Sequence, residues 1–224
     1  MSVLAFFKSV CVLLVLLGGS VIANGQSANQ SINCLAELLD GAEFGDWDES
    51  TDDGITIKYR DVELSDEDET RQVMVEMRIQ VDVDSLLAVL KDPECIVKWN
   101  DGFRESIMLK DEGNRWIIHS FYDFPFLLPQ QDVISEYRLV KEEDRYLIIA
   151  CPLPDYKEEV EGSSREQHNY NTWNIIPQPN GECLIEFRVV TLSNSSIPRF
   201  LKDPFIRRTL RASFENLQSM CEED

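Results

Sequence analysis

Basic residues and histidines are scarce in this 224-residue chain, and each scarcity removes a class of function. Lys and Arg number 21 against 41 Asp and Glu, a formal net charge of −20. A protein that binds nucleic acid must neutralise phosphate with basic side chains, so no nucleic-acid partner is expected. Histidine occurs only at His119 and His168. No cysteine pair is spaced C-x-x-C, and no His-Glu-x-x-His, Gly-x-Ser-x-Gly or phosphate-loop pattern is present. The nearest calcium-like run, Glu49 to Gly54, has Arg60 where a bidentate Glu would be required. The carboxylates are numerous, but no pair stands in an apolar setting that would tune it for acid–base work. No metal, cofactor or catalytic residue is expected.

A long apolar run is present only at the N-terminus. Lys8 gives a basic start, Val10 to Leu17 is unbroken, Gly18 and Gly19 end the run, and Val21-Ile22-Ala23 puts compact residues before a cleavage point. That order is what a secretory signal peptide requires, so residues 1–23 are expected to leave, with cleavage after Ala23 or after Gly25. The competing reading is a membrane anchor, for which the run is short of the roughly 20 residues a bilayer needs. Cleavage removes Lys8 and no acid, leaving 20 basic against 41 acidic residues, a net charge of −21. Residues 24–31 read as a flexible polar leader and 32–224 as one domain, secreted or periplasmic. Export permits disulfides among Cys34, Cys95, Cys151, Cys183 and Cys221. Five is odd, so one thiol at least stays unpaired within the chain. Cys34 with Cys221 would tie the two terminal helices, while small buried apolar cysteines are an equal reading.

Hydrophobic periodicity predicts the elements. Ile32 to Leu39 reads as a short helix, and Asp52-Asp53-Gly54 as a turn into a strand carrying Ile55, Ile57 and Tyr59. Val73, Val75, Met77, Ile79, Val81 and Val83 alternate with polar residues as one long half-buried strand. Asp84 would cap a helix through Leu90, and Asp92-Pro93 would start another that ends near Trp99. Strands follow at 104–110, 115–122, 133–140, 145–151, 166–176 and 183–192, close enough in sequence for an antiparallel sheet. A last helix over 198–221 carries Ile206, Leu210, Phe214, Leu217 and Cys221 as a stripe. The class is α+β. A sheet this long must curl, and one helix cannot fill its concavity, which leaves a gap for a ligand or a wet void unless small helices or loops fill it.

Asp53-Gly54-Ile55, Leu90-Lys91-Asp92 running to Trp99, the stretch Asp123 to Val133, Arg165 ahead of Trp173-Asn174-Ile175-Ile176-Pro177, and Ile197-Pro198-Arg199-Phe200-Leu201 stand in this order. Together they resemble the START (steroidogenic acute regulatory-related lipid transfer) domains of the helix-grip, or SRPBCC, superfamily. The resemblance implies a helix-grip fold: a curved antiparallel β-sheet wrapped around the long C-terminal helix, with an apolar cavity between them. It further implies that the 124–129 loop lies at the mouth and the helix acts as a lid. Where the family usually has Arg before an Asp, this chain has Gln131 before Asp132.

Phe124, Phe126, Leu127 and Leu128, set between two prolines that disfavour a central strand, read as a gate touching ligand or membrane. The same residues also suit an inward-folded core. Ile197, Phe200, Leu201 and Phe205 would complete the gate, and Gln131, Arg165 and His119 are the polar candidates for the cavity. His119 equally suits a hydrogen-bonded sheet position. Arg199, Lys202, Arg207, Arg208 and Arg211 outnumber Asp203 and Glu215 on the final helix, which fits either anionic headgroups or ion pairs with an acidic sheet rim. The expected function is binding, with possible transfer, of a lipid, sterol or similar hydrophobic molecule by a non-enzymatic monomer in transient contact with membrane. The alternatives are a cyclase-type enzyme using Tyr122, Tyr137, His119 or His168, and an exported interaction module with a filled core and no ligand.

Overall fold

The structure, a computed structural model, describes residues 34–64, 69–123, 130–191 and 199–222; for residues 69 and 199–205 it describes the backbone alone. The residues expected to form a gate, Phe124, Phe126, Leu127, Leu128 and Ile197, lie outside the described residues. Phe200, Leu201 and Phe205 lie in the last helix, with their side chains outside that description.

The chain begins with α1 (Cys34–Leu38), followed by β1 (Glu43–Phe44), β2 (Asp48–Asp52), β3 (Ile55–Glu63) and β4 (Glu69–Ile79). Asp53 and Gly54 both take positive φ, 46° and 77°. This is the two-residue turn geometry that an Asp-Gly pair suits, and it closes the β2–β3 hairpin. Two helices follow, α2 (Val83–Lys91) and α3 (Pro93–Trp99). Then come β5 (Phe103–Asp111), β6 (Arg115–Tyr122), β7 (Gln131–Lys141), β8 (Tyr146–Pro152), β9 (Ser164–Arg165), β10 (Asn169–Pro177), β11 (Cys183–Thr191) and the 24-residue α4 (Arg199–Glu222).

The strands form one curved, unclosed sheet in the order β1-β3-β4-β11-β10-β8-β7-β6-β5, with β2 and β9 attached at its side. Every pairing is antiparallel except β7 with β9, where Gln131 faces Ser164 and Asp132 faces Arg165 in parallel. The expected α+β layout of sheet and C-terminal helix is the one observed.

Local details differ from the sequence reading. The long strand ends at Ile79 rather than Val83, because Asp82 caps α2: its side chain accepts from the Ser85 backbone N–H at 3.0 Å. A capping bond of this kind is worth about 1 kcal/mol and draws Val83 into the helix, so Asp82 and not Asp84 is the cap. The strand expected from Glu166 starts at Asn169. β2, with the wholly exposed sequence Asp-Glu-Ser-Thr-Asp, has no apolar alternation to announce it.

Cys34 pairs with Cys151 and not with Cys221. Trp173 touches α4 and pairs with Ile148 of β8, so the pleat turns Cys151 to the opposite face. The disulfide therefore fixes α1 on the convex side. Cys221 lies buried at the end of α4; it stands outside this disulfide, as do Cys95 and Cys183.

Candidate ligand-binding site

The concave face is defined by what touches α4. Phe214 lies 5.7 Å from Trp173 and 5.5 Å from Phe187, ring centre to ring centre. Trp99 of α3 meets Trp173 edge-on at 5.8 Å. Each such pair is worth about 0.5–1.5 kcal/mol beyond burial. With Leu217, Leu86, Leu90 and Ile96 packed into the same core, these rings plug one end of the concavity.

Toward the other end the inner wall changes character. Register and pleat place Val189, Asn171, Asn169, Ala150, Tyr137, Ser135, Ser120 and Tyr122 on the same side as Trp173. Ala150, Ser135 and Ser120 on this wall are small and buried. β6 and β10 stand three strand spacings apart, about 14 Å on a flat sheet. Yet Asn169 Nδ2 donates to Tyr122 Oη across the concavity at 2.7 Å.

Two phenols on this wall are deep but uncovered. Burial pushes the Tyr137 pKa up to about 12. It raises that of Tyr122 as well, with the Glu166 charge adding to the effect and the Asn169 hydrogen bond opposing it. Both residues are nonetheless only half-buried, as are Phe187 and Val189. Polar satisfaction is incomplete here too. Asn169 Oδ1 and Asn171 Oδ1 are buried without a partner, as is Nε1 of Trp116, whose ring stacks on Tyr137. Native interiors leave few such atoms, because each costs about 1–3 kcal/mol.

The convex face holds the opposite arrangement. Asp132, fully buried, bonds His119 Nε2 at 2.6 Å and accepts from Arg165 Nε at 2.6 Å and Ser163 Oγ at 3.0 Å. Arg165 donates onward to the carbonyls of Pro154, Lys157 and Glu158, which binds the β8–β9 loop down over this face. Burial alone would raise the Asp132 pKa. The bonds from His119, Arg165 and Ser163, with the Arg165 charge, more than reverse that and hold it below the ordinary carboxylate value. Beside it, Glu136 accepts from Arg115 and Arg138.

Of the three expected cavity-polar residues, Gln131 pairs with Ser164 and shares the parity of the inner wall, half-buried at its edge. His119 and Arg165 do not line the cavity: both point to the convex face and are consumed there by Asp132. Asn169 and Asn171 escaped the sequence reading, although they occupy the parity of Trp173 and Ile175, where apolar residues belong. On α4, Arg207 pairs with Asp48 at 2.9 Å and lies over the Tyr59 ring, and Arg211 donates to the Asp52 carbonyl. For these two arginines the ion-pair reading is the one observed.

At the level of sequence, no family model and no curated protein matches the chain. Solved structures do. A STAR-related lipid transfer protein fragment from Xanthomonas axonopodis superposes with a TM-score of 0.70 at 21% identity, over 78% of this chain and 98% of its own. Human StAR-related lipid transfer protein 5 gives 0.65 at 14%, over 79% of this chain and 86% of its own. The ZhuI aromatase/cyclase from Streptomyces sp. R1128 gives 0.51 at 11%, over 68% of this chain and 94% of its own. Likeness at such identities is a likeness of fold, and this chain has the START-type helix-grip fold.

Proposed function

We propose that the chain is exported after loss of residues 1–23 and binds a lipid or similar hydrophobic molecule between the sheet and α4, without catalysing a reaction. The observation that carries this reading is the pair Tyr122 and Tyr137, set deep in the domain yet with surface left uncovered. An apolar tail laid on that surface would gain roughly 25 cal/mol per Å² of area it covers. The lipid-transfer proteins that share the fold support the same reading. Phe124, Phe126, Leu127, Leu128, Ile197, Phe200, Leu201 and Phe205 would form the gate and touch membrane transiently during exchange, with the protein acting as a monomer. The Cys34–Cys151 disulfide fits a secreted or periplasmic location.

Native mass spectrometry of the protein, exported by its own leader and incubated with mixed-lipid vesicles, tests this. The expected result is a mass increment of one lipid on a chain that begins at Asn24 or Gln26. Protein that emerges empty from every vesicle overturns the reading.

The shared fold of the aromatase/cyclase raises an enzymatic alternative. Its candidate bases are poorly placed for it. His119 is bound to Asp132 on the convex face, and His168 is exposed and stacks near Tyr170. Tyr122 and Tyr137 face inward, but their raised pKa values keep both phenols protonated at neutral pH, so neither supplies a base there.

A further inference from the structure

The polar end of the concavity carries two acceptors without partners. Asn169 spends its amide donor on Tyr122 Oη, which leaves Oδ1 free to accept, and that oxygen is buried without a partner. Asn171, two residues on along the same face and 9% exposed, carries a second buried, unpartnered Oδ1. Glu166 is 8% exposed and near enough to Tyr122 for its charge to act on the phenol; its Oε1 accepts from the His168 backbone N–H at 2.9 Å.

Basic groups are committed elsewhere. Among the described residues of the neighbouring strands, Arg115, Arg138 and Arg188 take the convex parity, Arg104 donates to Gln130 Oε1 and lies over the Phe121 ring, and Lys141 sits at the far end of β7 over Tyr146. Arg165 is closed off by Asp132 and three carbonyls. An anionic headgroup placed here would meet unpaired oxygens and a carboxylate, with no described cation to compensate. A headgroup that donates hydrogen bonds would satisfy the oxygens that the fold leaves orphaned.

We propose that this site selects a lipid whose buried polar end is a hydrogen-bond donor without negative charge (a hydroxyl, an amide N–H or an ammonium) and discriminates against fatty acids and phosphatidic acid. The inference rests on the ligand-binding reading above and adds the headgroup class.

The test uses the full chain as exported, incubated with phosphatidylcholine vesicles that carry either ceramide and monoacylglycerol or oleic acid and phosphatidic acid. Bound lipid is identified by native mass spectrometry. Ceramide or monoacylglycerol is expected on the protein at about tenfold higher occupancy than either acid, the ratio that one well-made buried hydrogen bond supplies. Asn171→Leu is expected to erase most of that preference while the apolar site still loads. Should that variant fail to fold, Asn171→Asp, nearly isosteric, keeps the acceptor and is expected to retain ceramide and exclude oleic acid further. Equal or preferential uptake of the acids, or of phosphatidylcholine, which has no donor in its headgroup, overturns the selectivity while leaving ligand binding intact. Protein empty in both arms overturns both.

Discussion

On the convex face Asp132 has three side-chain partners and Arg165 has four acceptors, so a buried charge pair is closed on every side. On the concave face of the same strands, Asn169 and Asn171 carry neutral oxygens with no partner at all. Ionised groups are far more expensive to bury unpaired than amides are, so the first arrangement must be complete for the domain to fold, whereas the second can be left open. Completeness therefore separates scaffold from site. The charged cluster, which in a sequence looks the more chemical of the two, holds a loop in place, and the neutral one has unused bonding capacity facing the interior.

The largest expected effect tests the scaffold side. Asp132→Asn leaves Arg165 buried without its counter-charge, and breaking such a pair costs about 3–5 kcal/mol. For a domain of this size that corresponds to a fall in Tm of roughly 10 °C by scanning calorimetry. Lipid uptake measured well below the new Tm should be unchanged. A variant as stable as the parent would mean that the convex cluster is not structural.

Acid should act through the same group. The folded Asp132 pKa lies below the unfolded value of about 3.9, so its contribution is complete above that value and is lost as pH falls through the lower, folded one. Glu136, held low by Arg115 and Arg138 against the upward pull of burial, adds in the same direction. Tm of the parent should decline below about pH 4, with a shallower slope in Asp132→Asn.

Cys151→Ser removes the other convex-face fixture. The bond spans 117 residues, and loss of so long a crosslink costs about 2–5 kcal/mol. Urea midpoints of this variant and of the parent under reducing conditions should coincide, and a parent that is no less stable when reduced would refute the crosslink's role.

Mutation on the concave side should reverse the sign. Asn171→Leu removes a buried acceptor that has no partner, so stability is expected to hold or rise by up to about 1–3 kcal/mol, the cost of leaving such a group unmet. A loss of 2 kcal/mol or more in a urea titration would show that Asn171 is satisfied in the free protein, and the contrast between the faces would collapse.

These positions also show what a sequence can and cannot disclose. Strands such as Ile55–Glu63 and the stripe of Phe214, Leu217 and Cys221 are readable because period and burial coincide there. In Asn169 to Ile175, by contrast, Asn, Asn, Trp and Ile occupy one parity and Tyr, Thr and Asn the other. Which parity is interior depends on pairing with Phe187 and Ile148, strands that lie elsewhere in the chain. The convex setting of Arg165 is hidden for a related reason. It is bound by the β8–β9 loop, and a covering loop leaves no periodic trace. The Cys34 partner was likewise hidden, because it depends on which face of the sheet α1 covers.

The smallest expected effect concerns the edge where the two faces meet at α4. Arg207 and Asp48 form an ion pair whose side chains are largely open to water, and such pairs are worth about 0–1 kcal/mol and weaken with salt. Arg207→Gln should therefore move the urea midpoint by less than 1 kcal/mol in equivalent stability. The guanidinium also lies 4.4 Å over the Tyr59 ring, a contact that the amide replaces poorly. If this pair holds the N-terminal half of α4 against β2 and β3, the variant should load and release lipid faster at unchanged equilibrium occupancy, and the parent should approach the variant's rate as salt rises. Identical rates at low salt would mean that the opening of the concavity is governed elsewhere along the helix, and the acidic β2 rim would then be a solvated edge with no part in exchange.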